Sequence, residues 1–146
     1  MKVDFKIIAY DSEEWKKAVN LREEILRKPF GFTFTAQELE EERKHIQIIG
    51  LVNSEIIATA VLVPEKPNLK MQRVVVLDHL RNLNIGSKMM SFCEGYAKEE
   101  GYATIYCHAR DSAVNFYSNN NYSIEGDFFN EDEIPHLKMK KTITTH

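Results

Sequence analysis

Residues 71–90, MQRVVVLDHLRNLNIGSKMM, combine the residue types and spacing that bind phosphate groups. Three consecutive valines predict a buried strand, and apolar residues at four-residue intervals from Ile85 to Ala97 predict an amphipathic helix. Between them lies an Arg-x-x-Asn-x-Gly loop. A helix that opens directly after such a loop presents unpaired amide groups and the positive end of its dipole. The segment is therefore predicted to hold an anion of the pyrophosphate kind.

Length and composition exclude several classes of protein. The chain has 146 residues, which fits one compact domain, and we predict a single domain over residues 1–146. No apolar run is long enough to cross a bilayer and the charged N-terminus is unlike a secretory signal, so we expect a cytoplasmic protein without a membrane partner. A net charge of −3 with interspersed signs argues against a nucleic-acid partner. Cys93 and Cys107 lack the spacing of a zinc site, and we expect two buried thiols and no metal.

The elements that must position the phosphate-binding segment follow from periodicity and capping signals. Asp11 with Glu14, and Thr35 with Glu38, each resemble a capping box at a helix start. The two prolines that follow residue 63 are expected to interrupt the chain before the central strand. That strand, the helix after it and the next strand imply parallel pairing through a right-handed crossover. The predicted strands are 3–8, 46–52, 55–63, 71–77, 103–109, 122–128 and 136–143, and the predicted helices are about 11–26, 36–44, 85–100 and 111–119.

This order of elements, together with three motifs, resembles the GNAT superfamily of N-acetyltransferases over essentially the whole chain. The family's pyrophosphate loop is Arg/Gln-x-x-Gly-x-Gly/Ala, and Arg81, Asn84 and Gly86 match its defined positions, with asparagine in place of the middle glycine. Asparagine is the non-glycine residue that best tolerates a left-handed backbone, so we expect the loop to keep its shape. The resemblance implies an α+β fold with a central twisted mixed sheet of about six or seven strands, flanked by about four helices.

Two further motifs carry the resemblance. NFYSNNNY at 115–122 resembles the family's Phe-Tyr-x-x-x-Gly-Phe segment, with Asn121 where glycine is usual. FNEDEIPHLKM at 129–139 is similar to the Phe-x-Glu-x-Gly-Ile-Pro-His-x-x-Met ending of one branch of small bacterial-type members, with Glu133 replacing the glycine. LREEILRKPFG at 21–31 looks like the acceptor-side helix of the same branch.

The resemblance implies acetyl-coenzyme A (acetyl-CoA) as co-substrate. The loop amides of 82–87 are expected to cradle its pyrophosphate at the helix start. The strand at 74–76 is expected to offer backbone hydrogen bonds to the pantetheine arm, and one of its amides to polarise the thioester carbonyl. The expected coenzyme contacts are Val74, Val75, Val76, Arg81, Asn82, Leu83, Asn84, Ile85, Gly86, Ser87, Arg110, Ala113, Phe116 and Tyr117.

Acetyl transfer to an amine needs a proton donor and a proton acceptor. The leaving thiolate has a reference pKa of about 8.5, and the resemblance places the Tyr117 phenol beside the sulfur as the donor. An amine with a pKa near 10 must lose a proton before it attacks. The resemblance places Glu131 and His136 on the acceptor side, and either of them, or a water, is the expected base. Each also has a structural alternative: Tyr117 as a core tyrosine packed beside Phe116, Glu131 as part of a solvated acidic turn, and His136 as a hydrogen-bond partner of the neighbouring loop.

The acceptor side leaves several alternatives open. Arg22, like Arg27, either clamps a substrate carboxylate or phosphate or pairs with a nearby glutamate such as Glu23 or Glu40. The aromatic loop that includes Phe30 either lines an apolar acceptor pocket or packs into the core. The five carboxylates of the stretch 125–133 either attract a cationic substrate or keep an exposed loop soluble. The remaining histidines carry weaker signals, and they are His45, His79, His108 and His146.

The sequence thus favours an acyltransferase that moves an acetyl group from acetyl-CoA to a primary amine of a small molecule or peptide, by direct attack in a ternary complex. The alternative is a non-catalytic acyl-CoA-binding or regulatory domain, because asparagine twice replaces a family glycine. An unrelated nucleotide binder is disfavoured, since the chain lacks Gly-Lys-Ser/Thr and Gly-x-Gly-x-x-Gly. A homodimer is expected only from the base rate of soluble assemblies.

Overall fold

The computed structural model describes residues 2–77 and 84–143. Arg81, Asn82 and Leu83 of the predicted pyrophosphate loop lie outside these residues, as does His79. The strands and α-helices within them are β1 (Asp4–Ile8), α1 (Glu13–Leu26), α2 (Ala36–Glu41), β2 (Ile46–Val52), β3 (Glu55–Glu65), β4 (Asn68–Val76), α3 (Ile85–Glu99), β5 (Thr104–Arg110), α4 (Val114–Asn119), β6 (Ser123–Glu131) and β7 (Ile134–Thr142). Short 3₁₀ turns occupy Lys28–Phe30, Glu42–Lys44 and Asp111–Ala113.

The strands form one seven-stranded sheet in the order β1-β2-β3-β4-β5-β7-β6. β4 and β5 pair in parallel, as the strand-helix-strand pattern predicts, with Asn68 opposite Thr104 and Met71 opposite Cys107. The β1–β2, β2–β3, β5–β7 and β6–β7 pairs are antiparallel. The predicted α+β fold with a mixed sheet and four helices is therefore confirmed.

The chain divides into two compact units. The first comprises Met1–Val63 and Arg73–Met89, and the second comprises Pro64–Gln72 and Met90–His146. The core of the first unit includes Trp15, Ala18, Val19, Phe34 and Ile49, whereas that of the second includes Leu69, Met71, Ile105 and Met139. A single domain over residues 1–146 stays a prediction.

Three local predictions need correction. The capping residue of α1 is Ser12, whose Oγ accepts from the Trp15 amide 3.1 Å away, whereas Asp11 has a left-handed backbone (φ 64°) that a helix cap does not adopt. β3 continues through Pro64, because the one amide that proline lacks falls at the end of the strand. β6 and β7 reach toward each other and leave only residues 132 and 133 between them, where a longer loop was predicted. The Thr35–Glu38 capping box is confirmed.

The positions where the family resemblance places glycine keep a glycine-like backbone. Asn84 has φ 59°, Asn121 has φ 71° and Glu133 has φ 64°. Asp132 is also left-handed, at φ 53°, so residues 132–133 form the kind of two-residue turn that matches the twist of antiparallel strands. The expectation that asparagine preserves the backbone at residue 84 is confirmed for that residue.

Replacing Glu133 by glycine should stabilise the fold. A left-handed non-glycine residue costs about 1–2 kcal/mol, whereas glycine adds about 0.5–1 kcal/mol of unfolded-state entropy, so a net gain of about 1 kcal/mol is expected. Thermal or urea unfolding measures it. Glu133→Ala is the matched control, since it removes the carboxylate but retains the backbone cost. Equal stabilities of the two variants would contradict the assignment.

Candidate active site

A cluster of one carboxylate and two imidazoles lies on the second unit, at the ends of three adjacent strands. Glu131 Oε1 is 3.0 Å from Nδ1 of His108, and its Oε2 is 3.6 Å from Nε2 of His136. The structure thus brings together two predicted site residues, Glu131 and His136. It adds His108, which carries only a weak signal in the sequence.

The strand register explains why these side chains meet. On β5 and β7, Arg110 pairs with His136 and His108 pairs with Lys138, so the two histidines are diagonal neighbours on one face. On β6 and β7, Phe129 pairs with His136 and Glu131 with Ile134, which brings Glu131 to the same face. The Phe129 ring packs edge-on against His108, with 5.0 Å between centroids, and stacks on His136 at 6.0 Å. The cluster is therefore fixed by pairing and by ring contacts.

His136 is held in one orientation. Its side chain is 5% exposed, and Nδ1 lies 2.7 Å from the carbonyl oxygen of Ile134. Because a carbonyl only accepts, Nδ1 carries a proton, and Nε2 is the ring nitrogen on the side of Glu131. The Glu131 side chain is 43% exposed and reaches solvent. The Glu131 carboxylate therefore lies between solvent and a buried imidazole.

Tyr117 lies elsewhere in the second unit, on α4, and is buried. Burial raises the pKa of the Tyr117 phenol well above its usual range, and its hydrogen bond with Cys107 acts in the same direction. The ring meets Phe116 and Tyr122 edge-on. Tyr117 is therefore a neutral phenol at physiological pH, which suits a proton donor and excludes a resident phenolate base.

The other predicted coenzyme contacts occupy two groups. In the first unit, Val75 is buried on β4 between the half-buried Val74 and Val76. At the start of α3, Asn84 is exposed, Ile85 and Gly86 are buried and Ser87 is half-buried. In the second unit, Arg110, Ala113 and Phe116 are half-buried. Their roles toward the coenzyme stay predictions.

Two predicted acceptor-side residues differ in accessibility. Arg22 is completely buried, and its Nη2 pairs with Glu42 at 3.2 Å. The ion-pair alternative is the one observed, but its partner is neither Glu23 nor Glu40, and a guanidinium closed off from solvent is not available to clamp a substrate. Phe30 is 48% exposed in its 3₁₀ turn, whereas Phe34 of the same loop is buried. The aromatic loop thus divides between surface and core.

Comparison with known proteins identifies the family. The family model described as "Acetyltransferase (GNAT) domain" matches residues 12–143. The chain belongs to the GNAT acetyltransferase family. The chemistry of this family is in general acetyl transfer, with acyl-CoA as donor, and GNAT acetyltransferases generally act on small-molecule or peptide amines.

Individual relatives are similar to this GNAT chain over different lengths. The Bacillus subtilis protein YjcF, described as an uncharacterized N-acetyltransferase, is 28% identical over 139 residues, covering 92% of this chain and 97% of YjcF. YyaT of the same organism is 33% identical over 75 residues, so the match spans about half of each protein (51%). A crystal structure of an aminoglycoside 6'-N-acetyltransferase complexed with coenzyme A has a TM-score of 0.82, 16% identity and 98% coverage of both chains, which shows a shared fold.

The start of α3 has the backbone that the predicted pyrophosphate site requires at residue 84. Asn84 keeps the left-handed backbone of the family's glycine, and its carbonyl accepts from the Lys88 amide at 3.0 Å as the first helical hydrogen bond. The helix continues for 15 residues, long enough for a developed dipole. Within residues 2–77 and 84–143, no group of His, Cys, Asp and Glu side chains is arranged to bind a metal ion, and no helix is both long and apolar enough to cross a membrane.

His108 is the residue that sequence reasoning missed. Its side chain alternates with Cys107 and Ala109, which are buried, so the pattern of β5 already points it to the opposite face from the core. The missing information was the register with β7. Our prediction began that strand at His136, two residues too late, and ended β6 before Glu131.

Both cysteines should resist thiol reagents in the folded protein. Burial raises the pKa of Cys93 and of Cys107 to about 12 in each case, which confirms the expected buried thiols. Because the reactive species is the thiolate, a rise from a reference pKa of about 8.5 lowers its fraction at pH 8 roughly 10³-fold. Titration with an aromatic disulfide should detect two thiols only after unfolding. Rapid reaction of either cysteine in the native protein would contradict the placement.

Proposed function

We propose that this GNAT protein transfers an acetyl group from acetyl-CoA to a primary amine of a small molecule or peptide, by direct attack in a ternary complex. The observation that supports this most is the cluster of His108, Glu131 and His136. The chemistry of the family accounts for the acetyl donor. The cluster provides a proton acceptor that solvent can reach, and attack by an amine needs such a group.

The proposed base is Glu131 acting with His136. A primary amine with a pKa of about 10 is about 0.1% unprotonated at pH 7, so its attack depends on proton removal. The exposed Glu131 carboxylate takes the proton directly or through a water. Nε2 of His136 lies 3.6 Å from Glu131 Oε2 and accepts the proton once the two groups close to hydrogen-bond distance, after which the carboxylate stabilises the imidazolium. His108, at 3.0 Å, orients the other carboxylate oxygen.

The proposed acid is Tyr117. Acetyl-CoA supplies a thioester, whose carbonyl carbon receives the amine nitrogen and whose sulfur leaves as a thiolate. A phenol with a raised pKa remains protonated until that sulfur becomes basic, and it then gives up its proton. The Tyr117 hydroxyl is hydrogen-bonded to Cys107, so donation to the coenzyme sulfur requires that it exchange this partner for the thiolate.

The proposed acceptor is cationic and amine-bearing. Glu131 lies on β6, an edge strand that also carries Glu125 and Asp127. Glu125 is partly neutralised by Lys140, 3.3 Å away, so the net negative charge concentrates toward Glu131 and the turn at 132–133. A negative surface raises the local concentration of ammonium groups. The structural neighbour that acetylates an aminoglycoside is consistent with this class of acceptor.

Tyr117→Phe should lower kcat about 10- to 1000-fold while leaving the Kd of acetyl-CoA unchanged, which is the usual range for loss of an acid-base group. Thiol release gives kcat, and isothermal titration gives Kd. Tyr122→Phe is the matched control, because Tyr122 is also buried and its hydroxyl bonds Glu94 at 2.9 Å. An unchanged kcat in Tyr117→Phe would remove this residue from the mechanism.

Glu131→Gln should reduce kcat/KM for the amine about 100-fold at pH 7 and progressively less as the pH approaches the pKa of the amine. The sign follows because the acceptor deprotonates itself at high pH and no longer needs a base. A pH profile of thiol release measures the change. Glu125→Gln, on the same strand, is the control and should match the wild type. A deficit that is constant with pH would show that Glu131 positions groups but takes no proton.

A further inference from the structure

A second charge cluster, in the first unit, is closed off from solvent around Glu42. Oε1 of Glu42 accepts from the Trp15 indole at 3.0 Å and lies 3.2 Å from Nη2 of Arg22. Oε2 contacts Nη1 of Arg73. Glu42 and Arg22 are both completely buried, and buried charges are tolerated only when they are paired and hydrogen-bonded. Trp15 and Arg22 therefore both hold Oε1 of Glu42, and Oε2 is the oxygen that contacts Arg73.

Arg73 has a backbone conformation that its residue type does not favour. It lies within β4, two residues beyond the pair formed by Met71 and Cys107, and its φ is 53°. Outside glycine and asparagine, a left-handed residue in a strand persists only when its surroundings impose it. The side-chain contacts of Arg73 identify the surroundings that do so.

The Arg73 side chain is fixed by three groups in addition to its backbone. Its guanidinium contacts Glu42, lies 3.6 Å from Oε2 of Glu38, and covers the Phe34 ring at 4.8 Å from the centroid. Glu38 is itself anchored, because Arg27 binds it through two hydrogen bonds of 3.1 and 2.7 Å. The hydrogen bond from Arg27 lowers the pKa of Glu38 to about 2, so Glu38 stays charged at any physiological pH. The Arg73 guanidinium thus contacts two carboxylates, and each of them is itself held by other side chains.

We propose that Glu42 is a positioning residue of the transferase. By anchoring Arg73 it imposes the left-handed turn in β4, and that turn sets the direction of the peptide groups at 74–76. This inference rests on the proposed function, in which those peptide groups bind the pantetheine arm of acetyl-CoA. A residue 73 that relaxed to ordinary strand angles would rotate the following peptide plane and misdirect its donor and acceptor.

The proposal separates the role of the Arg73 side chain from that of its backbone angle. Arg73→Ala loses the anchor and disfavours a positive φ, whereas Arg73→Gly loses the same anchor but permits it. By isothermal titration we expect Arg73→Ala to weaken acetyl-CoA binding about 10-fold or more, the scale of a left-handed penalty. We expect Arg73→Gly to bind within about 3-fold of the wild type, since glycine populates the left-handed region readily. Equal weakening in both variants, or none in Arg73→Ala, would overturn the proposal.

The role of Glu42 is tested by measuring Glu42→Gln alone and in combination with Arg73→Gly. Glu42→Gln should weaken binding about 10-fold in the wild-type background and have little further effect beside Arg73→Gly, because its influence passes through residue 73. Additive effects would overturn that route. Arg43→Met is the control, because Arg43 lies in the same 3₁₀ turn as Glu42 but forms an exposed pair with Glu40 of α2, and this variant should bind as the wild type does. If Glu42→Gln does not fold, the comparison of Arg73→Ala with Arg73→Gly still decides the matter.

A failure of the proposed function gives a different experimental result from a failure of this inference. If the wild type and Arg43→Met do not bind acetyl-CoA, the donor assignment fails. Crystal structures of the two Arg73 variants then decide the conformational inference on its own. Residue 73 is expected to leave the left-handed region in Arg73→Ala and to remain in it in Arg73→Gly. A left-handed residue 73 in Arg73→Ala would show that the side chain does not impose the turn.

Discussion

The Glu131 carboxylate, held between the imidazoles of His108 and His136, is the contact on which the proposed chemistry depends. An ammonium group cannot attack a thioester, so the reaction is limited by where its proton goes. Within the second unit, strand pairing alone places the side chains that are proposed to take this proton. The turn at 132–133 sets the register of β6 against β7, and that register brings Glu131 and His136 to one face. A shift by one residue would turn Glu131 to the opposite face and remove it from the imidazoles.

The two charge clusters of this GNAT protein differ in solvent exposure, and the difference matches the roles proposed for them. Glu42 is completely buried, and both of its carboxylate oxygens contact donor groups of the protein. Glu131 is 43% exposed, reaches solvent and lies beside two imidazoles. A buried ion pair is weak evidence of net stability in general, and in this protein its contacts hold the Arg73 guanidinium. One carboxylate is suited to holding a backbone turn and the other to moving a proton.

Much of the fold could be predicted because it depends on local signals. Periodicity gave the order of strands and helices, and the Thr35–Glu38 pair gave the start of α2. The tolerance of asparagine for left-handed angles gave the backbone at Asn84 and Asn121. Glutamates were expected as partners of the first-helix arginines, but the partner of Arg22 was chosen by tertiary packing, and three consecutive glutamates offered no local reason to prefer Glu42.

The remaining parts of the site depend on register and on non-local strain. His108 becomes a site residue only when β5 is aligned with β7, and no property of its own neighbours sets that alignment. The left-handed angle of Arg73 contradicts its residue type, so a sequence pattern predicts an ordinary strand there. Functional sites are where local preference and final structure are expected to disagree.

Initial-rate kinetics of thiol release, with acetyl-CoA and a primary amine varied together, test the central claim most directly. Direct attack in a ternary complex predicts saturation in both substrates and double-reciprocal lines that intersect. Parallel lines would indicate transfer through an acetylated enzyme and contradict the account. Tight binding of acetyl-CoA with no thiol released for any amine would replace it with a non-catalytic acyl-CoA-binding domain.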